Sequence, residues 1–156
     1  MARVLMLVAV CVLPAVVSAG NTFWLDGRVY CDTCHFGFET PLSTYVEGAR
    51  VMLECKDGVD MQDVYTAEAV TGPDGRWMME VDEDHHDEFC TVRLLSSPQE
   101  GCNSADPGRS RASLILTRYN GMASNHHSAN SMGFFRDEPL AGCEEIRALY
   151  QLEAQA

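Results

Sequence analysis

From residue 23 onward, apolar and polar positions alternate in short stretches. Residues 23–30 are rich in aromatic and branched side chains and lead into Cys31. Residues 49–55 put Val51, Leu53 and Cys55 on one face and Met52 and Glu54 on the other. Residues 64–71 alternate more weakly, and residues 76–81 set Trp77, Met79 and Val81 on a common face. Residues 89–95, 112–119 and 133–136 complete the series. A period of two predicts strands with one buried face. Turn chemistry lies between them. In Gly72-Pro73-Asp74-Gly75, proline presets one φ and glycine takes a φ that other residues avoid, so residues 64–81 are expected to form a hairpin. Asn120-Gly121 marks a further turn. Residues 33–48, 96–111 and 122–132 read as loops. Residues 144–153 alone have helical spacing, through Ile146, Leu149, Tyr150 and Glu153, which predicts a short amphipathic C-terminal helix.

Many short strands without a strand–helix–strand rhythm predict an all-β fold, a sandwich or flattened barrel. The absence of crossover helices predicts antiparallel pairing.

The first 19 residues fall outside this pattern. Arg3 precedes an apolar run over residues 4–17, and Val17-Ser18-Ala19 offers small residues for cleavage after Ala19. A basic start, a short apolar core and a small-x-small exit predict a signal peptide at 1–19 and a single mature domain at 20–156. The protein is therefore expected outside the cell. No membrane insertion is expected after cleavage. The alternative, a retained signal anchor, is disfavoured by the length of the run.

Eleven basic residues against 23 acidic ones give a net charge of −12. Such a surface repels phosphate backbones, which argues against nucleic-acid binding. It favours solubility, and it is compatible with a basic partner.

Seven cysteines become six when Cys11 leaves with the leader: Cys31, Cys34, Cys55, Cys90, Cys102 and Cys143. An even number in an exported chain reads as three disulfides, with all fifteen pairings open on spacing alone.

The segment Asp26-Gly27-Arg28-Val29-Tyr30-Cys31-Asp32-Thr33-Cys34 resembles the opening motif of the pollen proteins named after the major olive-pollen allergen, Ole e I. Pro41-Leu42, Gly48-Ala49-x-Val51-x-Leu53-x-Cys55, Trp77 two residues after Gly75, Asn120-Gly121, Ala129-Asn130, Gly133-Phe134 and Pro139-Leu140-x-x-Cys143 are similar to later family blocks. The sequence looks closest to grass-pollen members. His35 departs from the arginine usual at that position.

The resemblance implies a mostly antiparallel domain of six or seven strands, with disulfides Cys31–Cys102, Cys34–Cys143 and Cys55–Cys90. It also implies an extracellular pollen protein, located in the pollen wall or apoplast, frequently allergenic and without enzymatic activity or cofactor, active in hydration, germination or tube growth. A receptor-like kinase ectodomain or a basic cell-wall glycoprotein is the implied partner, and the chain itself is expected to be a monomer. Family members often carry N-glycans; this chain has no Asn-x-Ser/Thr sequence.

Several residue groups carry candidate chemistry. Cys31-x-x-Cys34 lacks the helix start of a redox site and reads as two half-cystines. With His126-His127 or His85-His86 it matches no zinc spacing, so no metal ligand is assigned. The run 82–88, Asp-Glu-Asp-His-His-Asp-Glu, reads as a solvated acidic segment; calcium binding and a pH response through His85 and His86 are its functional alternatives. No Gly-x-Ser-x-Gly motif occurs, and no catalytic residue is assigned. Phe36 and Phe38, with Phe134-Phe135, read first as core and otherwise as a partner-binding patch.

The leading expectation is a binding or signalling module. A structural wall protein and an inhibitor or enzyme acting on wall components are its rivals.

Overall fold

A computed structural model describes residues 22–153 of the chain, with the side chains of residues 152 and 153 not described. The leader expected at 1–19 lies outside the described residues. The elements, in chain order, are β1 (Phe23–Asp32), β2 (Thr44–Tyr45), β3 (Arg50–Asp57), β4 (Asp63–Val70), β5 (Arg76–Val81), β6 (Glu88–Ser96), β7 (Ser104–Ala105), β8 (Arg111–Leu114), a 3₁₀ turn (Arg118–Asn120), β9 (His126–Ser128), β10 (Met132–Phe135) and α1 (Cys143–Glu153). Seven of these strands have four residues or more, which are the six or seven anticipated; β2, β7 and β9 are shorter. No described helix is long and apolar enough to cross a membrane.

Two sheets enclose one core. One has the order β4-β3-β6-β8, with every neighbour antiparallel. The other is built around β1, whose neighbours change halfway along. Its first half pairs with β5 and β9, and its second half with β2 and β10, with β7 beyond β10. Leu25, Val29, Val51, Leu53, Val81, Val92, Leu116 and Phe134 are all buried in one cluster. Each full burial of such a side chain stabilises the fold by about 1.5–3 kcal/mol.

Three departures from the sequence reading have physical causes. First, β1 pairs in parallel with β9 and β10. Parallel neighbours need a long connection, and here the whole second sheet supplies it instead of a helix. Second, β4 and β5 are not a hairpin: β4 pairs with β3, and β5 with β1. The turn between them, closed by Gly75 N–H to Gly72 O at 2.9 Å and Gly72 N–H to Arg76 O at 2.8 Å, carries the chain from one sheet to the other. Third, the strand expected over 112–119 ends at Leu114. The chain then turns through the 3₁₀ segment to Gly121, whose φ of 79° closes it. The bonds Cys31–Cys102, Cys34–Cys143 and Cys55–Cys90 tie β1, the following loop and β3 to distant parts of the chain.

Candidate binding surface

The loop after β1 is organised by a single buried side chain. Asp32 is fully buried. Its Oδ1 accepts from Cys34 N–H at 3.1 Å and its Oδ2 from Gly37 N–H at 2.7 Å. The acidic residue between the cysteines is therefore a backbone clamp, using the strength of hydrogen bonds to a carboxylate. The loop bends through His35 and Gly37, at φ 57° and 77°. Gly37 supplies the left-handed conformation at no steric cost, and histidine is among the residues that tolerate it. The His35 ring bonds Arg136 O and packs 4.9 Å from the Phe135 ring. The residue that departs from the family pattern therefore has a structural role. Arg109 Nε donates to Gly37 O at 2.6 Å, Leu140 N–H to Thr33 O at 3.1 Å, and Thr33 Oγ1 to Leu42 O at 2.9 Å.

This clamped loop presents aromatics to solvent. Phe38 is 39 % exposed and Phe36 half-buried. Tyr150 of α1 completes the group: its ring centroid lies 5.2 Å from that of Phe38 at an interplanar angle of 90° and 6.4 Å from that of Phe36 at 85°. These edge-to-face geometries are favoured by aromatic quadrupoles. Arg147 lies 5.5 Å over the Phe36 ring. Phe36, Phe38, Arg147, Tyr150 and Gln151 surround a shallow depression of about 280 Å³. An 11-residue helix is marginal alone; the Cys34–Cys143 bond at its first residue fixes it against the loop. Phe134 is core and Phe135 half-buried, so the second phenylalanine pair is not part of this surface.

Phe38 also borders a polar depression of about 280 Å³, shared with Tyr30, Glu39, Arg109, Asn130 and Ser131. The Tyr30 hydroxyl is buried without a hydrogen-bond partner. Burial, then the Asp32 charge, push it up to about 12, so it is a neutral donor at any physiological pH.

At another point of the fold lies the acidic run 82–88, which is less solvated than its composition suggests. His85 is buried, its Nδ1 is 2.7 Å from Glu88 Oε2, its N–H donates to Leu116 O at 2.9 Å, and its ring lies 4.8 Å from that of Tyr65. His86, Asp82, Glu83 and Asp87 are exposed. Burial pushes the Asp84 carboxyl up, but a hydrogen bond from Arg118 N–H and the neighbouring His86 and Arg118 charges outweigh it and hold it below the usual carboxylate range. The run borders a cleft of about 450 Å³ with exposed Phe89 and Ile115. Cys55, His85, Glu88 and Cys90 bring their ligand atoms within 4.8 Å of one another. The two sulfurs are bonded to each other at 2.03 Å and are not thiolates, so the group does not offer four metal ligands. Among the described residues, Cys31 and Cys34 do not gather with His126 and His127 in any such group.

Sequence reading found Phe36 and Phe38 but not Tyr150 as their neighbour, although Tyr150 was on the expected helix face. It missed the polar group entirely, because Tyr30, Arg109 and Asn130 come from three distant segments without a spacing motif.

Comparison with known proteins agrees with this architecture. The family model described as "Pollen protein Ole e 1 like" matches residues 21–151. The chain is 52% identical over 142 residues to Protein DOWNSTREAM OF FLC of Arabidopsis thaliana, covering 90% of this chain and 87% of that protein. It is 41% identical over 132 residues to the major pollen allergen Lol p 11 of Lolium perenne, covering 84% and 98% respectively. The crystal structure of the major plantain pollen allergen Pla l 1 superposes with a TM-score of 0.70 at 26% identity, over 78% of this chain and 99% of that one. The chain is a member of the Ole e 1-like pollen protein family.

Proposed function

We propose that the protein is a secreted, non-enzymatic binding module that acts outside the cell in pollen hydration, germination or tube growth. It would do so by presenting the Phe36–Phe38–Tyr150 surface to a receptor-like kinase ectodomain. The observation that carries this reading is an exposed aromatic group on a loop clamped by Asp32 and by the Cys34–Cys143 bond. Aromatic anchors dominate interface energetics. A loop already held in its bound shape loses little conformational entropy on association. The leader-like start and the three disulfides support export.

Affinity capture from pollen and pistil extracts tests the reading. Oxidised protein should retain a receptor ectodomain, and Phe38→Ala with Tyr150→Ala should lose it. Equal retention by the wild type, the double variant and the reduced protein would overturn the reading.

A second reading, a structural wall protein docked on basic glycoprotein chains, is favoured by the acidic 82–88 run beside the Phe89–Ile115 cleft. Capture that falls steeply with salt and is indifferent to Phe38→Ala would select it.

A further inference from the structure

The Phe38 ring takes part in two different surfaces. On one side it meets the Phe36 and Tyr150 rings. On the other it borders the depression of about 280 Å³ shared with Tyr30, Glu39, Arg109, Asn130 and Ser131. Five polar side chains from β1, the clamped loop and the segments before β8 and β10 meet there, and their hydrogen-bonding capacity is largely unused within the protein. Tyr30 is 1 % exposed and its hydroxyl has no partner. Arg109 uses Nε on Gly37 O. Its terminal nitrogens, the Glu39 carboxylate, the Asn130 carboxamide and the Ser131 hydroxyl make no hydrogen bond or ion pair among the described residues.

We infer that this depression is a subsite for one residue of a neutral oligosaccharide. The chemistry selects the ligand class. An aromatic ring offers a face for the C–H bonds of a sugar, and the polar groups around it supply both donors (Arg109, Asn130, Tyr30) and acceptors (Glu39, Asn130), which a polyol uses together. An apolar peptide side chain would leave these groups without partners, at about 1–3 kcal/mol for each one buried. A polyanion such as an oligouronide or a phosphate would gain Arg109 but face Glu39 and a chain of net charge −12. At about 280 Å³ the depression falls just below the roughly 300–1,000 Å³ range of drug-sized ligand sites, a size for a single sugar ring. Further sugar residues would then run over Phe38 onto the Phe36–Tyr150 surface. The inference rests on the reading of this face as a binding surface, but not on a protein partner.

The test is an NMR titration of the oxidised full-length mature protein with cellotetraose, galactotetraose, arabinotetraose and tetragalacturonate. At least one neutral tetrasaccharide should shift the backbone signals of Glu39, Arg109, Asn130 and Ser131, while tetragalacturonate should not. Asn130→Ala and Glu39→Ala, both at exposed positions, should each weaken binding about tenfold, the equivalent of one lost hydrogen bond. Tyr150→Ala should leave that shift pattern in place. A parallel titration with an arabinogalactan glycoprotein, before and after chemical deglycosylation, separates free from protein-borne sugar; binding that survives deglycosylation would contradict the inference. So would the absence of shifts at these residues with every neutral sugar, or shifts unchanged in both Asn130→Ala and Glu39→Ala. If the sugars bind but Phe38→Ala and Tyr150→Ala leave ectodomain capture intact, the receptor-docking reading falls and the sugar subsite stands. The reverse result removes the subsite alone.

Discussion

The indole of Trp77 lies directly against the backbone of Gly27, so close that a β-carbon at Gly27 would sit 2.5 Å from Trp77 Cζ2 and 2.7 Å from Cε2. The two residues are paired across β1 and β5. The glycine that opens the family-like motif is therefore a packing surface for a tryptophan fifty positions away. Gly27→Ala should destabilise the fold by about 1–3 kcal/mol, the usual range for overpacking. Urea unfolding followed by tryptophan fluorescence measures it. Trp77→Leu should cost less on the Gly27→Ala background than in the wild type, and a double-mutant cycle reads that coupling.

Asp32 makes a similar prediction for the loop. Asp32→Ala removes the acceptor of both Cys34 N–H and Gly37 N–H. Leaving buried donors unsatisfied costs about 1–3 kcal/mol each. The sharper outcome is local: in hydrogen-exchange measurements the Gly37 amide should lose its protection while the amides of β3 and β6 keep theirs.

Two of the three disulfides should have separable effects. Replacing Cys34 and Cys143 by serine opens a span of 109 residues and should release α1, seen as lost exchange protection over residues 146–151. Replacing Cys55 and Cys90, 35 residues apart on paired strands, should lower global stability without freeing the helix. Chain-entropy reasoning puts each at about 3–5 kcal/mol.

His127 sets a pH dependence. It is buried, its Nε2 has no partner, and its ring packs edge-on 5.2 Å from that of Phe23. Burial, and then the His126 charge, push its pKa below the ordinary value of 6.5. Above that value neither the folded nor the unfolded chain protonates this ring, and the linkage term is zero. Below it the unfolded state takes up a proton that the folded state resists, so stability falls with falling pH until the depressed folded pKa is passed. Unfolding midpoints at pH 7.5 and 5.5 should therefore differ more in the wild type than in His127→Gln.

The strands with a clean alternation, β3, β5 and β6, were legible because each has one face in the core. Their partners were not. The Gly72-Pro73-Asp74-Gly75 turn announces that the chain reverses but not which edge it joins; β5 joins β1, where Trp77 packs on Gly27. The two- and three-residue strands β2, β7 and β9 have no period to read; β2 and β9 exist because β1 offers backbone groups to pair with, and β7 because β10 does. His85 was hidden by its acidic neighbours, since the pattern that signals a solvated run also conceals one side chain turned inward towards Glu88 and Tyr65. The aromatic surface was half legible: Phe36 and Phe38 stood out in their loop, and Tyr150 on its helix, but nothing in their spacing put them side by side.

Hydrogen–deuterium exchange of the oxidised mature protein, alone and with the ectodomain fraction retained from pistil extract, most directly tests the claim that this clamped loop and helix form the recognition surface. Protection is predicted over residues 34–39 and 146–151. Protection confined to residues 82–89 and 113–117, around the acidic cleft, would contradict it.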